Sequence, residues 1–392
     1  MSEVVIGILA TRDDFSSISV NPGDDIVLCG QQHLLKTLFQ NDSIRWEPFV
    51  RYRPQEWFMS ALLQKLRVHP KWLWPLWQLI PVGGTRLNRC DLLINASGPL
   101  LYRGQGYHTL FEPWALVLLR SLKAPGAPLF LNLALGTLFQ NGSSRNKDDY
   151  SWLDVVAARR ICQMSTVTTC RESLAQKLVH HSGHRAPLIP CASLLARRHF
   201  DLQSKRSDYV ALNFHPKGSR SRNYGTNSDQ SWVLAFRDLI TQLSSRGLRY
   251  KLVCHEPREQ QAVRTFLGDN AANHTILPAT IPDFLTAYGN ARASLTCRIH
   301  GAYAAASFGV SSLCITSDSR AAMIDVLDMP HLNPSNVTGD QLMSALETLF
   351  THEERSRRKL LAMVDRTEKE YIEVLKPGIS TIPRTQERCD SP

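Results

Sequence analysis

The residues best suited to chemistry in this chain are Arg298 and His300, which are separated only by Ile299. A β-prone run, residues 293–297, precedes them, and a small-residue run that favours a helix, residues 301–308, follows. Both side chains are therefore predicted at the carboxyl end of a strand, where open α/β sheets bind ligands and where a helix start attracts anions. Arginine grips carboxylates and phosphates through two parallel hydrogen bonds, and histidine exchanges protons near neutral pH.

Three segments of the first half place further candidate residues after predicted strands. Asn21 and Asp24 belong to the sequence NPGDD, which is equally typical of a helix-entry loop and of a ligand contact. Ser97 and Gly98 belong to ASGP, in which small side chains would let a ligand approach backbone amides. Arg171 either binds an anion or pairs on the surface with the glutamate that follows it.

The second half offers three weaker candidates. Lys217 lies in a basic loop after the predicted strand 209–214, where it could contact a phosphate or simply be solvated. His255 ends the next predicted strand, and Tyr303 lies on the helix that follows His300. We predict the last two as contacts for a second substrate.

The composition is that of a folded, basic chain of 392 residues with a net charge of +10. That length predicts two domains of ordinary size, and the charge favours anionic partners such as nucleotides or sugar phosphates. The nine cysteines include no Cys-x-x-Cys pair, which predicts reduced thiols in a cytoplasmic protein. Because basic residues form no long cluster, we expect no nucleic-acid partner.

Several patterns of known chemistry are missing from the sequence. It has no Gly-x-x-x-x-Gly-Lys-Ser/Thr phosphate loop, no Gly-x-Gly-x-x-Gly fingerprint and no Gly-x-Ser-x-Gly nucleophile turn. The metal-binding patterns His-Glu-x-x-His and Asp-x-Asp are also missing, so we expect no metal ion and no cofactor. No apolar run is long enough to span a membrane, and the N-terminus lacks the basic region of a signal peptide. We therefore expect a soluble or peripheral protein.

Apolar strand-like runs alternate with helical patterns, which predicts an α/β fold with parallel sheets flanked by helices. The predicted strands are 4–9, 92–96, 129–135, 166–170, 209–214, 250–255, 275–277, 293–297 and 312–315. The predicted helices are 25–39, 114–122, 152–164, 231–245, 259–267, 281–290 and 301–308. A charged helical pattern at 353–375 could pack back across the first domain.

A stretch rich in Pro, Arg, His and Ser, residues 183–207, separates the two halves. We therefore predict an N-terminal domain, residues 1–185, and a C-terminal domain, residues 186–375, which carries the Arg-Ile-His sequence. Residues 376–392 are predicted to be a flexible tail, and a tryptophan-rich insertion at about 54–86 interrupts the first domain.

These segments together resemble the polysaccharide pyruvyl transferase family. The family's Arg-Leu-His signature, followed by a small-residue helix, stands here as Arg298, Ile299 and His300. The other matches are the Asn-x-Gly-Asp sequence at 21–24, the strand and small-residue turn at 92–101, the Ala-x-Gly strand end at 134–136 and the Arg-Glu-Ser helix entry at 171–173. They follow one another in the order typical of the family.

The resemblance implies two Rossmann-like domains that face a cleft, an architecture called GT-B. It also implies phosphoenolpyruvate as donor and, as acceptor, a sugar diol of a cell-surface polysaccharide or of its lipid-linked precursor. The product would be a cyclic pyruvate ketal, and phosphate would be released.

On this interpretation His300 and Arg298 are the catalytic residues, with His300 as general acid and base and Arg298 as a clamp on the donor. The remaining predicted donor contacts are Ile299, Arg171, Lys217, Ser97, Gly98, Asn21 and Asp24. The predicted acceptor contacts are His255 and Tyr303. The scheme requires no metal.

Two other functions fit the same sequence. A metal-independent GT-B glycosyltransferase would bind a nucleotide sugar and would not bind phosphoenolpyruvate. A catalytically inactive module of the same fold would bind the glycan, and replacing His300 with alanine would leave that binding unchanged.

The insertion at about 54–86 contains half of the chain's eight tryptophans, Trp57, Trp72, Trp74 and Trp77, interspersed with basic residues. Aromatic and basic side chains on one amphipathic segment are typical of a helix that lies on a membrane surface. A segment packed on the core, or at an interface in a homo-oligomer, has the same composition. The membrane interpretation would place the protein at the inner face of the cytoplasmic membrane, close to lipid-linked acceptors.

This interpretation predicts that the protein floats with anionic liposomes and that the triple variant Trp72→Ala, Trp74→Ala, Trp77→Ala floats less. The reason is that interfacial tryptophans contribute much of the binding free energy of such segments. Equal flotation of the variant and the wild-type protein would rule out a membrane contact through these side chains.

Overall fold

Two parallel β-sheets, one in each half of the chain, form the framework of the protein. The computed structural model describes residues 3–10, 21–50, 86–96, 100–104, 107–108, 122, 127–139, 150–218, 226–316, 319–380 and 382. Ser97, Gly98, most of the tryptophan-rich insertion and nearly all of the predicted helix 114–122 lie outside these residues.

The first sheet has the strand order β2-β1-β3-β6-β8, and its neighbouring strands are all parallel. A small sheet of order β5-β4-β7 lies in the same half of the chain. The strands of this half are β1 (Glu3–Ala10), β2 (Ser43–Val50), β3 (Leu92–Asn95), β4 (Leu101–Gly104), β5 (Tyr107–His108), β6 (Leu129–Leu135), β7 (Thr137–Phe139) and β8 (Val167–Cys170).

The second sheet has the strand order β11-β10-β9-β12-β13-β14 and is also parallel throughout. Its strands are β9 (Val210–Asn213), β10 (Tyr250–Val253), β11 (Thr275–Ile276), β12 (Ala293–Thr296), β13 (Ser312–Ile315) and β14 (His331–Leu332). The chain order reverses between β9 and β12, which is the kind of switch point at which α/β sheets bind ligands.

Helices flank both sheets, as the alternating sequence pattern predicts. The α-helices are α1 (Pro22–Leu38), α2 (Trp152–Met164), α3 (Ser173–His181), α4 (Ala196–His199), α5 (Thr226–Ser245), α6 (Pro257–Leu267), α7 (Asp269–Ala272), α8 (Ile281–Gly289), α9 (Ile299–Ser307), α10 (Ala321–Val326), α11 (Gly339–Thr351) and α12 (Glu353–Ile379). Short 3-10 helices span Arg86–Arg89, Ala192–Leu195 and Pro334–Asn336.

Local sequence explains where many of these elements begin. β1 is apolar along nearly its whole length because it is buried on both faces, in the middle of a parallel sheet. Capping boxes start α2 at Ser151, α8 at Thr280 and α11 at Thr338, where each cap side chain accepts a hydrogen bond from the third helical N–H. These caps satisfy amides that would otherwise lack a partner.

The two halves share one hydrophobic core. It contains residues of β1, β3 and β6 from the first sheet together with residues of α9 and α12 from the second half. Tyr371 of α12 is fully buried, and its hydroxyl donates to the carbonyl oxygen of Pro190 at 3.0 Å. The long C-terminal helix therefore packs across the first half, as its sparse apolar stripe predicts.

The structure corrects the sequence-based boundaries in several places. α1 begins at Pro22, three residues before the predicted start, because proline is well accommodated in a first turn. The predicted start of the flexible tail, 376–392, is wrong, because α12 continues to Ile379. Strand β2 was not predicted, because its polar and charged residues interrupt the apolar pattern of an edge strand.

The domain boundary near residue 185 stays a prediction. Leu188 forms a β-bridge to Cys170 at the end of β8, so that the first sheet extends slightly beyond residue 185. Within the described residues, no helix combines the length and the apolarity needed to cross a membrane.

Close backbone packing between α1 and the connection that links the halves depends on Gly30. A Cβ atom at this position would lie 1.8 Å from the carbonyl oxygen of Ala192. Such contacts cannot be relieved by a side-chain rotation, because the obstructing atom belongs to the backbone.

We expect Gly30→Ala to lower the free energy of unfolding by about 1–3 kcal/mol, the usual effect of overpacking. Helix propensity alone predicts the opposite, a gain of about 1 kcal/mol for alanine over glycine. Urea unfolding of this variant, with Thr37→Ala on the exposed face of the same helix as control, separates the two effects. A stabilised Gly30→Ala protein would contradict the close packing.

Candidate functional site

The Arg298 to His300 segment lies, as predicted, where β12 ends and α9 begins. Arg298 is the N-cap residue of α9, with extended backbone angles, and His300 belongs to the first turn of the helix. Thr296 fixes the turn, because its Oγ1 donates to the carbonyl oxygen of Arg298 at 2.8 Å and accepts from the amide of Arg298 at 3.0 Å. The sequence Thr-Cys-Arg-Ile-His therefore positions the histidine through local hydrogen bonds.

The imidazole of His300 packs against the start of α1, which comes from the first half of the chain. A Cβ atom at Gly23 would lie 2.2 Å from Nδ1 of His300, so that only glycine leaves room for the ring. Nε2 of His300 is buried and has no hydrogen-bond partner among the described residues. The segment containing Asn21 and Asp24 is thereby brought to the predicted catalytic histidine, across the boundary between the halves.

Burial lowers the pKa of His300 from 6.5 to about 3, and nearby positive charges act in the same direction. Among the three arginines involved, Arg171 lowers the pKa of His300 most, followed by Arg320 and Arg298. His300 is therefore neutral at pH 7 in the protein without ligand. The positive charges of three arginines thus act on the ring.

Arg171 follows β8 and is only 3% exposed. Its Nε is buried without a hydrogen-bond partner, and no carboxylate in the described part of the chain forms an ion pair with its guanidinium. Gly136 provides the space for this group, since a Cβ atom there would lie 2.2 Å from Nε of Arg171. The guanidinium is therefore held in place largely by packing, and it is available to an anion.

The predicted alternative for Arg171, a surface ion pair with Glu172, is wrong. Glu172 is 1% exposed and accepts hydrogen bonds from the amide and the hydroxyl of Thr137, both at 2.9 Å. It also caps α3 by accepting from the amides of Leu174 and Ala175. The carboxylate is thus used to join β7 to α3, which leaves the adjacent arginine free to act on its own.

The end of β6, next to Gly136, is distorted. The pairing of β6 with β8 shifts its register between Asn132 and Leu135, and Ala134 has a φ of 64°, in the left-handed region. Such a conformation is unfavourable for a residue with a Cβ atom, and it is held here by a hydrogen bond from the amide of Ala134 to Oγ1 of Thr169 at 2.8 Å. The distortion directs the chain toward Arg171.

Arg298 differs from Arg171, because its charge is already paired. Its Nε donates to Oε1 of Glu259 at 2.7 Å, and its Nη2 lies 2.6 Å from the same oxygen and also bonds to Glu256. The guanidinium is 7% exposed. The edge formed by Nε and Nη2, which the donor clamp would use, is therefore occupied by carboxylates.

Three other predicted contacts, Tyr303, Ile299 and His255, are buried in the protein. Tyr303 is fully buried, and its hydroxyl donates to the carbonyl oxygen of Met323 at 3.0 Å, so the structure gives no support for it as an acceptor contact. Ile299 belongs to the hydrophobic core shared by the two halves. His255 is 4% exposed, and its Nε2 lies 2.7 Å from the hydroxyl of Tyr288, a residue against which Gly301 packs. These three side chains are therefore part of the packed interior around the site.

Lys217 lies in an exposed turn after β9, where its amide donates to Nδ1 of His215 at 3.3 Å. No contact among the described residues joins it to His300 or Arg171. Its role as a donor contact stays a prediction, as do those of Ser97 and Gly98, which lie outside the described residues.

Sequence reasoning missed Gly136, Glu256, Glu259 and Arg320 as parts of the site. A signal existed for the two glutamates, because their spacing of three residues at the start of a helix puts both on one face after strand β10. Nothing in the sequence around Arg320 indicates that its charge reaches His300. Within the described part of the chain, no group of three or more His, Cys, Asp or Glu side chains could hold a metal ion.

The same two-sheet architecture occurs in solved structures of nucleotide-sugar enzymes. A Listeria monocytogenes protein assigned as a UDP-N-acetylglucosamine 2-epimerase superposes over 98% of both chains, with a TM-score of 0.55 and 11% identity. S. aureus MnaA in complex with UDP superposes over 98% of this chain and 99% of that chain, with a TM-score of 0.53 and 13% identity. The Neisseria meningitidis UDP-GlcNAc 2-epimerase bound to UDP-GlcNAc covers 96% and 100%, with a TM-score of 0.50 and 10% identity.

At these identities the likeness shows the fold alone. It confirms the predicted fold class, two Rossmann-like domains that face a cleft in a GT-B-like arrangement. No curated protein sequence matches this chain.

The family comparison is more specific. The model of the family described as polysaccharide pyruvyl transferase matches residues 21–319, a span that begins at the loop against His300 and includes Arg171 and Arg298. Because this match covers most of the chain, the protein belongs to the polysaccharide pyruvyl transferase family and is a transferase of polysaccharide biosynthesis.

Proposed function

We propose that this transferase moves pyruvate from phosphoenolpyruvate to a diol of a sugar residue, forming a cyclic ketal and releasing phosphate. The acceptor is a cell-surface polysaccharide or its lipid-linked precursor. The observation that carries the proposal is a pair of buried polar atoms without partners among the described residues, Nε of Arg171 from the first half and Nε2 of His300 from the second half, with the charge of Arg171 acting on His300. Within the described residues, Arg171 is a cation without an anionic partner, and His300 is a neutral imidazole that can accept a proton.

Arg171 supports the donor part of the proposal. Burying a guanidinium without an anionic partner is unfavourable, because the charge loses its hydration and gains no compensating ion pair. A ligand that carries both a carboxylate and a phosphate supplies the missing charge. The amides of the first turn of α1, around Gly23, add the positive end of a helix on the other side of His300.

The reaction requires two proton transfers and two carbon–oxygen bonds. The methylene carbon of phosphoenolpyruvate takes up a proton and becomes the methyl group, while one acceptor hydroxyl adds to the central carbon and loses its proton. The second hydroxyl then adds to the same carbon as the bond to the phosphate oxygen breaks, and its proton leaves with phosphate. Both hydroxyl protons are thereby accounted for, and no oxidant or reductant is needed.

His300 is the group we assign to these proton transfers. Its imidazole is neutral in the protein without ligand, because burial and the neighbouring arginines lower its pKa. A donor with several negative charges would offset the arginines and raise that pKa toward neutrality. The histidine could then give a proton to the methylene carbon and later accept one from a hydroxyl.

The remaining predicted contacts keep a place in the proposal. Asn21 and Asp24 at the start of α1 are proposed donor contacts, together with Lys217, Ser97 and Gly98. Arg298 is proposed to act near the donor as part of an ion-paired cluster. We further propose that the enzyme works on the cytoplasmic side of the membrane, where it would meet lipid-linked acceptors through residues 54–86.

The central prediction is release of phosphate from phosphoenolpyruvate that depends on a galactosyl, glucosyl or mannosyl acceptor. We expect His300→Asn to lower kcat by about 100-fold or more, since positioned acid–base groups contribute that much. We expect Arg171→Gln to raise the KM for phosphoenolpyruvate by about tenfold or more, because a charge-assisted hydrogen bond to the donor is lost. Steady-state phosphate assays measure both effects.

Matched controls are His180→Asn and Arg185→Gln, which change exposed residues of the same types. Both should retain wild-type rates. If no acceptor in the panel supports release and phosphoenolpyruvate does not bind in a direct titration, the proposed donor is wrong. Binding or turnover of a UDP-sugar in place of phosphoenolpyruvate would point to a glycosyltransferase.

A second prediction concerns the protonation of His300. Sulfate, whose charge stays fixed between pH 5.5 and 7.5, should bind more tightly as the pH falls, because a bound anion raises the pKa of His300 from its low value of about 3. Binding should therefore take up a proton, which calorimetry in buffers of different ionisation enthalpy detects. In His300→Asn the pH dependence should disappear, and an unchanged dependence would mean that another group titrates.

A further inference from the structure

The ion-paired cluster behind His300 centres on Glu259, a residue of α6 that is 2% exposed. Its carboxylate receives hydrogen bonds from the ends of three neighbouring strands of the second sheet. The donors are Asn213 after β9, the amide of His255 after β10 and Arg298 after β12. One buried carboxylate thus joins the three strand ends that form the edge of the sheet at the cleft.

The two oxygens of Glu259 have separate tasks. Oε2 accepts from Nδ2 of Asn213 at 3.0 Å and from the amide of His255 at 2.7 Å, which holds β9 to β10. Oε1 faces only Arg298, with Nε at 2.7 Å and Nη2 at 2.6 Å. Oε2 thus holds the strands together, and Oε1 binds the arginine that precedes the first turn of α9.

The carboxylate of Glu259 is ionised in this arrangement. Burial raises its pKa and Arg298 opposes that shift, but all the groups that contact its oxygens are donors, so that none could accept a proton from it. Together with Glu256, it gives Arg298 two negative partners for one positive charge. The cluster therefore carries a net charge of minus one beside His300.

We propose that Glu259 is a positioning residue of the transferase, which fixes Arg298 and, through it, the first turn of α9 that carries His300. It also offsets the charge of Arg298, so that the unpaired Arg171 remains the cation that attracts the donor. This inference rests on the proposed function for its catalytic part, whereas its electrostatic part concerns anion binding alone.

The variant Glu259→Gln separates the two tasks. The amide oxygen can replace Oε2 and keep the bonds to Asn213 and His255, while the amide nitrogen then faces the guanidinium of Arg298 and cannot pair with it. We expect sulfate to bind more tightly, by a factor of the order of ten, because the site loses one negative charge. We also expect kcat to fall about tenfold or more without a higher KM for phosphoenolpyruvate, since the loss concerns positioning.

The pH profile provides a readout that a merely structural role would not change. With Arg298 no longer balanced, the pKa of His300 in the donor complex should fall, and the limb of the kcat profile that belongs to His300 should move to lower pH. Glu256→Gln should show the same changes in smaller measure, because Arg298 keeps its more buried partner. Glu347→Gln, which breaks an exposed ion pair with Arg246, is the matched control and should behave as wild type.

Asn213→Ala is the contrasting variant, since it removes the tie between strands and leaves the bonds to Arg298. It should lower the melting temperature without tightening sulfate binding. The proposal is overturned if Glu259→Gln binds sulfate and turns over as the wild type does, or if its kcat falls only in parallel with its melting temperature and with an unchanged pH profile. If the wild-type protein transfers no pyruvate, the proposed function fails, and sulfate binding still decides the electrostatic part.

Discussion

The contact between Gly23 and His300 is the constraint on which the rest of the site depends. The start of α1 in the first half and the first turn of α9 in the second half approach so closely that no Cβ atom fits between them. About two turns further along α1, a Cβ atom at Gly30 would likewise overlap the backbone of Ala192. Because α1 lacks side chains at both contacts, the two halves close on each other and share a core. His300 thus belongs to one half, whereas Gly23 and Arg171 belong to the other.

This closeness explains the electrostatics of the site. His300 is neutral because burial lowers its pKa and because the positive charge of Arg171, which follows a strand of the other sheet, acts in the same direction. Arg171 can remain without a carboxylate because Glu172, the nearest acidic residue in sequence, is bound to Thr137 and to the start of α3. In the part of the chain that the structure describes, Arg171 is therefore unpaired, whereas Arg298 pairs with two carboxylates. An anion that enters the site is therefore attracted more strongly by Arg171 than by Arg298.

The sequence predicted the fold and the location of the site, but not which acidic and basic side chains pair there. Alternation of apolar runs with helical patterns is a local property, so that the central strands of both sheets and the edge at which Arg298 and His300 lie were predicted correctly. Which carboxylate meets which arginine depends on residues far apart in the chain, such as Glu259 and Arg298. The burial of Tyr303 could not be predicted either, because helical spacing does not tell which face of a small-residue helix is turned to the core. Strand β2 was missed because Arg45, Glu47 and Pro48 interrupt its apolar residues.

The difference between the two arginines bears on how a transferase of this kind avoids holding its donor too tightly. Two free guanidinium groups would bind the donor and the released phosphate alike, and uniform binding of that kind does not raise kcat. An arginine balanced by buried carboxylates stabilises little charge in the ground state, yet it keeps a fixed position from which it can respond as charge shifts from the enol to the leaving phosphate. The buried pair costs desolvation free energy, which the fold offsets by using Oε2 of Glu259 to join β9 and β10. A single carboxylate thus links the stability of the second sheet to the charge that the donor meets.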